Sequence, residues 1–197
     1  MTQSQKDHSD ARRGCGVSCH HTSRSTLSSV RTKLPDRTAH LIFWPVVVIG
    51  LVLDLWTKSI VFAWVQRQPS QIVFVIDDLL RFVAEMNAGA AWGIAMGRRY
   101  LLITVSVAAL AVILVVFLLS GPGQRLIHMA LGLFAAGVCG NLYDRIFNDG
   151  QVRDFIDVAV WPGKRWPAFN VADVMLCVGV GLMILSSLGV GKRNVSQ

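Results

Sequence analysis

Residues 100–120 read YLLITVSVAALAVILVVFLLS, a run without one charged side chain. At about 1.5 Å of rise per residue, a helix of that length crosses the roughly 30 Å of hydrocarbon in a bilayer. Three other segments have the same character. Residues 41–65 are apolar apart from Asp54 and Lys58, residues 126–147 carry charge only near their end, and residues 168–188 carry only Asp173. The composition agrees, with 53% hydrophobic and 16% charged residues and a mean hydropathy of +0.49. A water-soluble globule is excluded. The expected fold is a mainly α membrane protein, a bundle of four transmembrane helices at 41–65, 100–120, 126–147 and 168–188.

The net charge of +7 suits a membrane surface and requires no nucleic acid. Seven of the 19 Lys and Arg residues precede position 39, and Arg125, Lys192 and Arg193 fall on the same predicted side. By the positive-inside rule that side is cytoplasmic, with both termini. Residues 1–38 are rich in Ser, Thr, Arg and His and lack the apolar core of a cleavable signal, so they read as a disordered cytoplasmic tail. Residues 39–191 then form the membrane domain, and 192–197 a short cytoplasmic tail. Cys139 and Cys177 are expected as buried thiols within helices. Cys15 and Cys19, followed by His20 and His21, lack a second ligand pair at a recognised spacing, so no metal or cofactor is expected.

The connections on the opposite side are long. Ile72-Val73-Phe74-Val75-Ile76 favours a β-strand, and Arg81 to Met86 alternates as a half-buried strand does. A small extracytoplasmic sheet, a cradle resting on the membrane, is expected there, anchored by Trp64 and Trp92. Residues 148–167 are expected as a second loop, carrying Asp154. In the third helix Gly132, Ala136 and Gly140 recur every fourth residue, a pattern that lets helices approach closely.

Ionised side chains are expensive in hydrocarbon, so those beside the apolar runs carry information. Asn170 and Asp173 share a face at the outer end of the fourth helix, and Asn141, Asp144 and Arg145 gather at the outer end of the third. Asn87 and Gly89 come from the first extracytoplasmic region. Several of these have two readings. Asn170 serves a substrate or caps its helix, with Asp173 complementing the dipole. Asp144 and Arg145 belong to a site or form a helix-end ion pair. Asp54 and Lys58, four apart, read as a structural intramembrane pair, Asp157 as a loop carboxylate, and His128 as an interfacial side chain. Two carboxyls that meet, Asp154 and Asp173, can share a proton and activate water.

Five segments, in order, resemble the bacterial lipoprotein signal peptidases (signal peptidase II). They are Asp54-Leu55-Trp56-Thr57-Lys58, Asn87-Ala88-Gly89-Ala90-Ala91-Trp92-Gly93 and Gly140-Asn141-Leu142-Tyr143-Asp144-Arg145, then Val152-Arg153-Asp154-Phe155-Ile156-Asp157 and Phe169-Asn170-Val171-Ala172-Asp173. The resemblance implies an aspartic endopeptidase with Asp154 and Asp173 as its dyad. Asn87, Gly89, Asn141, Arg145 and Asn170 would line the substrate pocket, with Asp54, Lys58 and Asp144 in support. It also implies diacylglycerated prolipoproteins as substrates, cleaved before the lipid-modified cysteine, with membrane lipid as the other partner. Here the tail is longer than the family's pattern implies, and Asn148 to Gln151 holds one extra residue. The rival reading is a small ion- or proton-coupled carrier using Asp54, Lys58, Asp144 and Asp173 as a relay.

Overall fold

The computed structural model describes residues 34–89 and 95–193, with side chains to 188. Of the expected N-terminal tail only residues 34–38 are described, and Arg37 and Thr38 already belong to the first helix. Cys15, Cys19, Trp92 and residues 194–197 lie outside the described residues. Four helical spans are long and apolar enough to cross a membrane, and a small antiparallel sheet accompanies them.

Helix α1 (Arg37–Thr57) starts four residues before its apolar run because Asp36 caps it, accepting the Ala39 N–H at 2.8 Å. It continues through a π-helical turn (Lys58–Phe62) into α2 (Ala63–Gln66), making one span of 30 residues. Helix α3 (Arg99–Leu119) is almost entirely lipid-facing, with only Leu102 and Phe117 buried. Helix α4 (Arg125–Phe147) is the centre of the bundle: 56% of its apolar window is buried, against 17–22% in the other three spans. Helix α5 (Val171–Arg193) begins three residues later than expected, where Asn170 caps it.

The small-residue stripe of α4 explains how the bundle closes. A Cβ on Gly132 would lie 2.9 Å from Val46 Cγ1, and one on Gly140 would run into the Asp54 carboxylate. A Cβ on Gly50 would lie 2.8 Å from that of Ala136. Gly137 faces the other way, against the Ala172 carbonyl of α5. Backbones this close gain van der Waals contact that larger side chains would prevent. Further along, Phe43 stacks on Phe117 at 4.1 Å between centroids, above Ala39, Leu131 and Ala135. His128 is part of this core and not interfacial as expected. It is buried, edge-on to Phe117, and 2.9 Å from Ser120 Oγ, which satisfies its ring nitrogen.

Strands β1 (Ile72–Ile76), β2 (Leu80–Asn87), β3 (Val152–Trp161) and β4 (Lys164–Arg165) pair in that order, all antiparallel. The expected second loop is therefore mostly sheet. Its strands escape a hydropathy reading because Arg153, Asp154 and Asp157 interrupt the alternation. Asp157 is correspondingly no loop carboxylate. It lies buried on β3 between Arg81 and Arg165, each 2.7 Å away. Residues 148–151 form a turn with Asp149 and Gly150 at positive φ, with Gly150 packed against the Arg99 stem.

Candidate active site

The two aspartates arrive from different elements. Asp173 occupies the third position of α5 and exchanges hydrogen bonds with its cap. Its N–H donates to Asn170 Oδ1 and its Oδ2 accepts the Asn170 N–H, both at 3.1 Å. This reciprocal box satisfies helix-end donors while placing a carboxylate at the positive end of the dipole. Asp154 lies on β3. A bulge between Phe82 and Glu85 shifts the register, so that Glu85 faces Asp154 and Asn87 faces Val152. Asn87 and Asp154 thus become diagonal neighbours on one face.

Three asparagines join the two carboxyls. Asn170 Nδ2 donates to Asp154 Oδ1 at 2.6 Å, and Asn87 Nδ2 to Asp154 Oδ2 at 3.0 Å. Asn141, on α4, donates from Nδ2 to Asp173 Oδ1 at 2.9 Å. Asn141 Oδ1 in turn accepts from Asn170 Nδ2 at 3.2 Å. Asn170 therefore caps its helix and bonds Asp154 with the same side chain. Asp154 is 2% exposed. Burial pushes its carboxyl up from the ordinary carboxylate range to about 7. The Asn87 hydrogen bond opposes that rise, the nearby Asp173 charge adds to it, and the Asn170 hydrogen bond opposes it again.

A cavity of about 320 Å³ opens on this cluster. Asn87, Asn141, Arg145 and both aspartates form its polar end, while Phe169, Trp166, Leu176 and Cys177 give it an apolar flank. Cys177 corrects an expectation: it is exposed, and Cys139 half-buried. Its position one helical turn beyond Asp173 is the signal that points to the cavity. Gly89 also lines it, tied by its N–H to Asn87 Oδ1 at 2.9 Å and by its carbonyl to Arg145 Nη2 at 3.2 Å.

Behind the asparagines lies a fully buried layer of charge. Lys58 Nζ is 2.7 Å from Asp54 Oδ2, 3.5 Å from Asp144 Oδ2 and 2.9 Å from Asn141 Oδ1. Asp54 Oδ1 accepts the Ala172 N–H of α5 at 2.8 Å. Asp144 does not pair with Arg145, because neighbouring residues on a helix point apart. It pairs with Arg153 at 2.7 Å and also takes the Arg153 N–H. Sequence reasoning missed Arg153, although it adjoins Asp154. Among the described residues no three His, Cys, Asp or Glu side chains gather as metal ligands.

Residues 46–189 match the family model for Signal peptidase (SPase) II. The chain belongs to the signal peptidase II family. The lipoprotein signal peptidase of Geobacter sulfurreducens is 39% identical over 161 residues, covering 80% of this chain and 98% of that one. That of Bacillus subtilis is 32% identical over 158 residues, 80% of this chain and all of the relative. Two solved bacterial membrane enzyme structures resemble the fold. One has a TM-score of 0.70 and 28% identity over 84% of this chain and 96% of its own. The other has a TM-score of 0.65 and 30% identity over 80% and 97%. Signal peptidase II is a family of peptidases, and nothing among these relatives supports the carrier reading.

Proposed function

We propose that the protein is an aspartic-type endopeptidase that removes signal peptides from diacylglycerated prolipoproteins, cleaving before the lipid-modified cysteine. The observation that carries this reading is the linkage of Asp154 and Asp173 through one asparagine at the polar end of a cavity with an apolar flank. One carboxylate takes a proton from a water as its oxygen attacks the scissile carbonyl. The other, protonated, donates to the developing oxyanion. Collapse of the tetrahedral intermediate breaks the C–N bond, and the proton first removed from water goes to the leaving amine. The burial of Asp154 favours that carboxyl as the one that carries the proton. Asn87, Gly89, Asn141 and Arg145 line the substrate's path, the buried Asn170 orients both carboxyls from behind it, and Asp54, Lys58 and Asp144 support them.

The location follows from the substrate. Asp173 lies in the first turn of α5, and Asp154, on β3, is bonded to the residue that caps that helix. Lipid chains holding a prolipoprotein in the outer leaflet would bring its scissile bond to that depth. We place the protein in the inner membrane with both termini cytoplasmic and the dyad outward, as the basic residues favour. The test is a purified protein given a diacylglycerated lipobox peptide. Wild type should cleave it before the cysteine, and Asp154→Asn and Asp173→Asn should each lose at least about 10²-fold in rate. Normal turnover by either variant would refute the dyad.

A further inference from the structure

Lys58 sits at the start of the π-helical turn in the first membrane span, and its side chain is wholly buried. Such turns are rare and concentrate at functional sites. Its ammonium donates to Asp54 Oδ2 and Asn141 Oδ1 and lies 3.5 Å from Asp144 Oδ2 as an ion pair. Pairing with Asp54 alone would account for a structural ion pair. The bond to Asn141 is a separate matter, because Asn141 touches Asp173 directly.

An asparagine amide can present either its oxygen or its nitrogen in a given direction, and only its partners decide which. An ammonium can only donate, so the Asn141 atom facing Lys58 must be oxygen. Asn170 Nδ2 donates to the same oxygen, but that bond is long at 3.2 Å and neutral. The Lys58 bond is charge-assisted and 2.9 Å long, and its ammonium is at 0% exposure. With Oδ1 held there, Asn141 Nδ2 is directed at Asp173 Oδ1. If the amide turned over, its oxygen would face the Asp173 oxygen instead, and the site would lose a donor and gain a repulsion.

We propose that Lys58 is a positioning residue of the active site, acting through the Asn141 amide to hold the Asp173 carboxyl in orientation. This rests on the peptidase reading. Lys58 does not touch the cavity, so its effect should appear in turnover more than in substrate binding.

The experiment assays the full chain, purified and folded, on a diacylglycerated lipobox peptide. Lys58→Met should lower kcat by about 10²-fold, as a misplacement of about 1 Å can, with KM within about twofold. Lys58→Gln keeps a donor toward Asn141 and should recover part of the loss. Lys58→Met combined with Asn141→Ala should be no slower than Asn141→Ala alone, since both break one link. Where Lys58→Met alone leaves Asp54 unpaired and fails to fold, Asp54→Asn/Lys58→Met removes both charges and leaves Asp144 to Arg153. A folded variant with wild-type kcat would overturn the proposal, as would additive losses with Asn141→Ala. Inactivity of wild type itself, or activity of the two aspartate variants, would instead sink the peptidase reading.

Discussion

Asn170 donates its side-chain N–H to Asp154 at 2.6 Å while its side-chain oxygen caps the N–H of Asp173 at 3.1 Å. One amide therefore sets the start of a membrane helix and the relation between the two carboxyls. Fold and chemistry share a residue here, and substitutions can separate them.

Asn170→Ser keeps a capping oxygen but has no donor reaching Asp154, whereas Asn170→Ala loses both. Both variants should lose turnover by about 10-fold or more, and only the alanine should also lose about 1 kcal/mol of stability. Peptide cleavage alongside thermal unfolding in detergent checks this. Equal melting of the two variants would show that the cap contributes nothing.

The raised Asp154 carboxyl makes a pH prediction whose sign is the reverse of a salt-bridged aspartate. Its folded value, about 7, lies above the ordinary 3.8, so between those values the folded protein binds more protons than the unfolded one. Stability from this group is therefore full below the lower value and lost as pH rises toward the upper. Asp154→Asn has no such dependence. Its melting temperature should overtake that of wild type progressively from pH 4 to pH 7, and parallel curves would contradict the burial argument. Turnover of wild type should fall above about 7, as the shared proton is lost.

Gly140→Ala places a methyl group against the Asp54 carboxylate, so α1 and α4 must separate or the Asp54–Lys58 pair must shift. A loss of about 1–3 kcal/mol is expected, typical of overpacking. Gly181 is the control, because a Cβ there meets nothing within 4 Å. Gly181→Ala should melt with wild type.

Cys177 lines the cavity and is exposed, whereas Cys139 is half-buried. In a background with Cys15 and Cys19 replaced by serine, a maleimide should block peptide cleavage. Cys177→Ser should abolish that sensitivity, and prior binding of a lipidated peptide should slow it. Mass spectrometry of the labelled chain identifies the modified thiol.

Much of this was legible before any coordinates. An uncharged run the length of 100–120 has one stable solution in hydrocarbon, since only a helix satisfies every backbone group internally. The four spans follow from that constraint. Gly132, Ala136 and Gly140 showed a close-packed face through their spacing alone. Asn170 and Asp173, three apart, had to share a face, and their capping role followed from residue type. Strands β1 and β2 were visible because residues 72–76 favour strand and 81–86 alternate, whereas β3 was hidden by its charges.

What sequence could not supply were the partners. Asn87 reaches Asp154 across 67 positions, Lys58 reaches Asn141 across 83, and Asp54 holds the Ala172 N–H across 118. Such pairs depend on how helices cross and where a bulge shifts a strand, and no local periodicity records either. Asp157 shows the same limit: a carboxylate read as loop is clamped by two arginines only because β2, β3 and β4 align. The sequence alone determined that the chain lies in a membrane and which side chains are too polar to meet lipid. The tertiary structure decided which of them face one another, because a buried polar group is tolerable only where another element completes its hydrogen bonds.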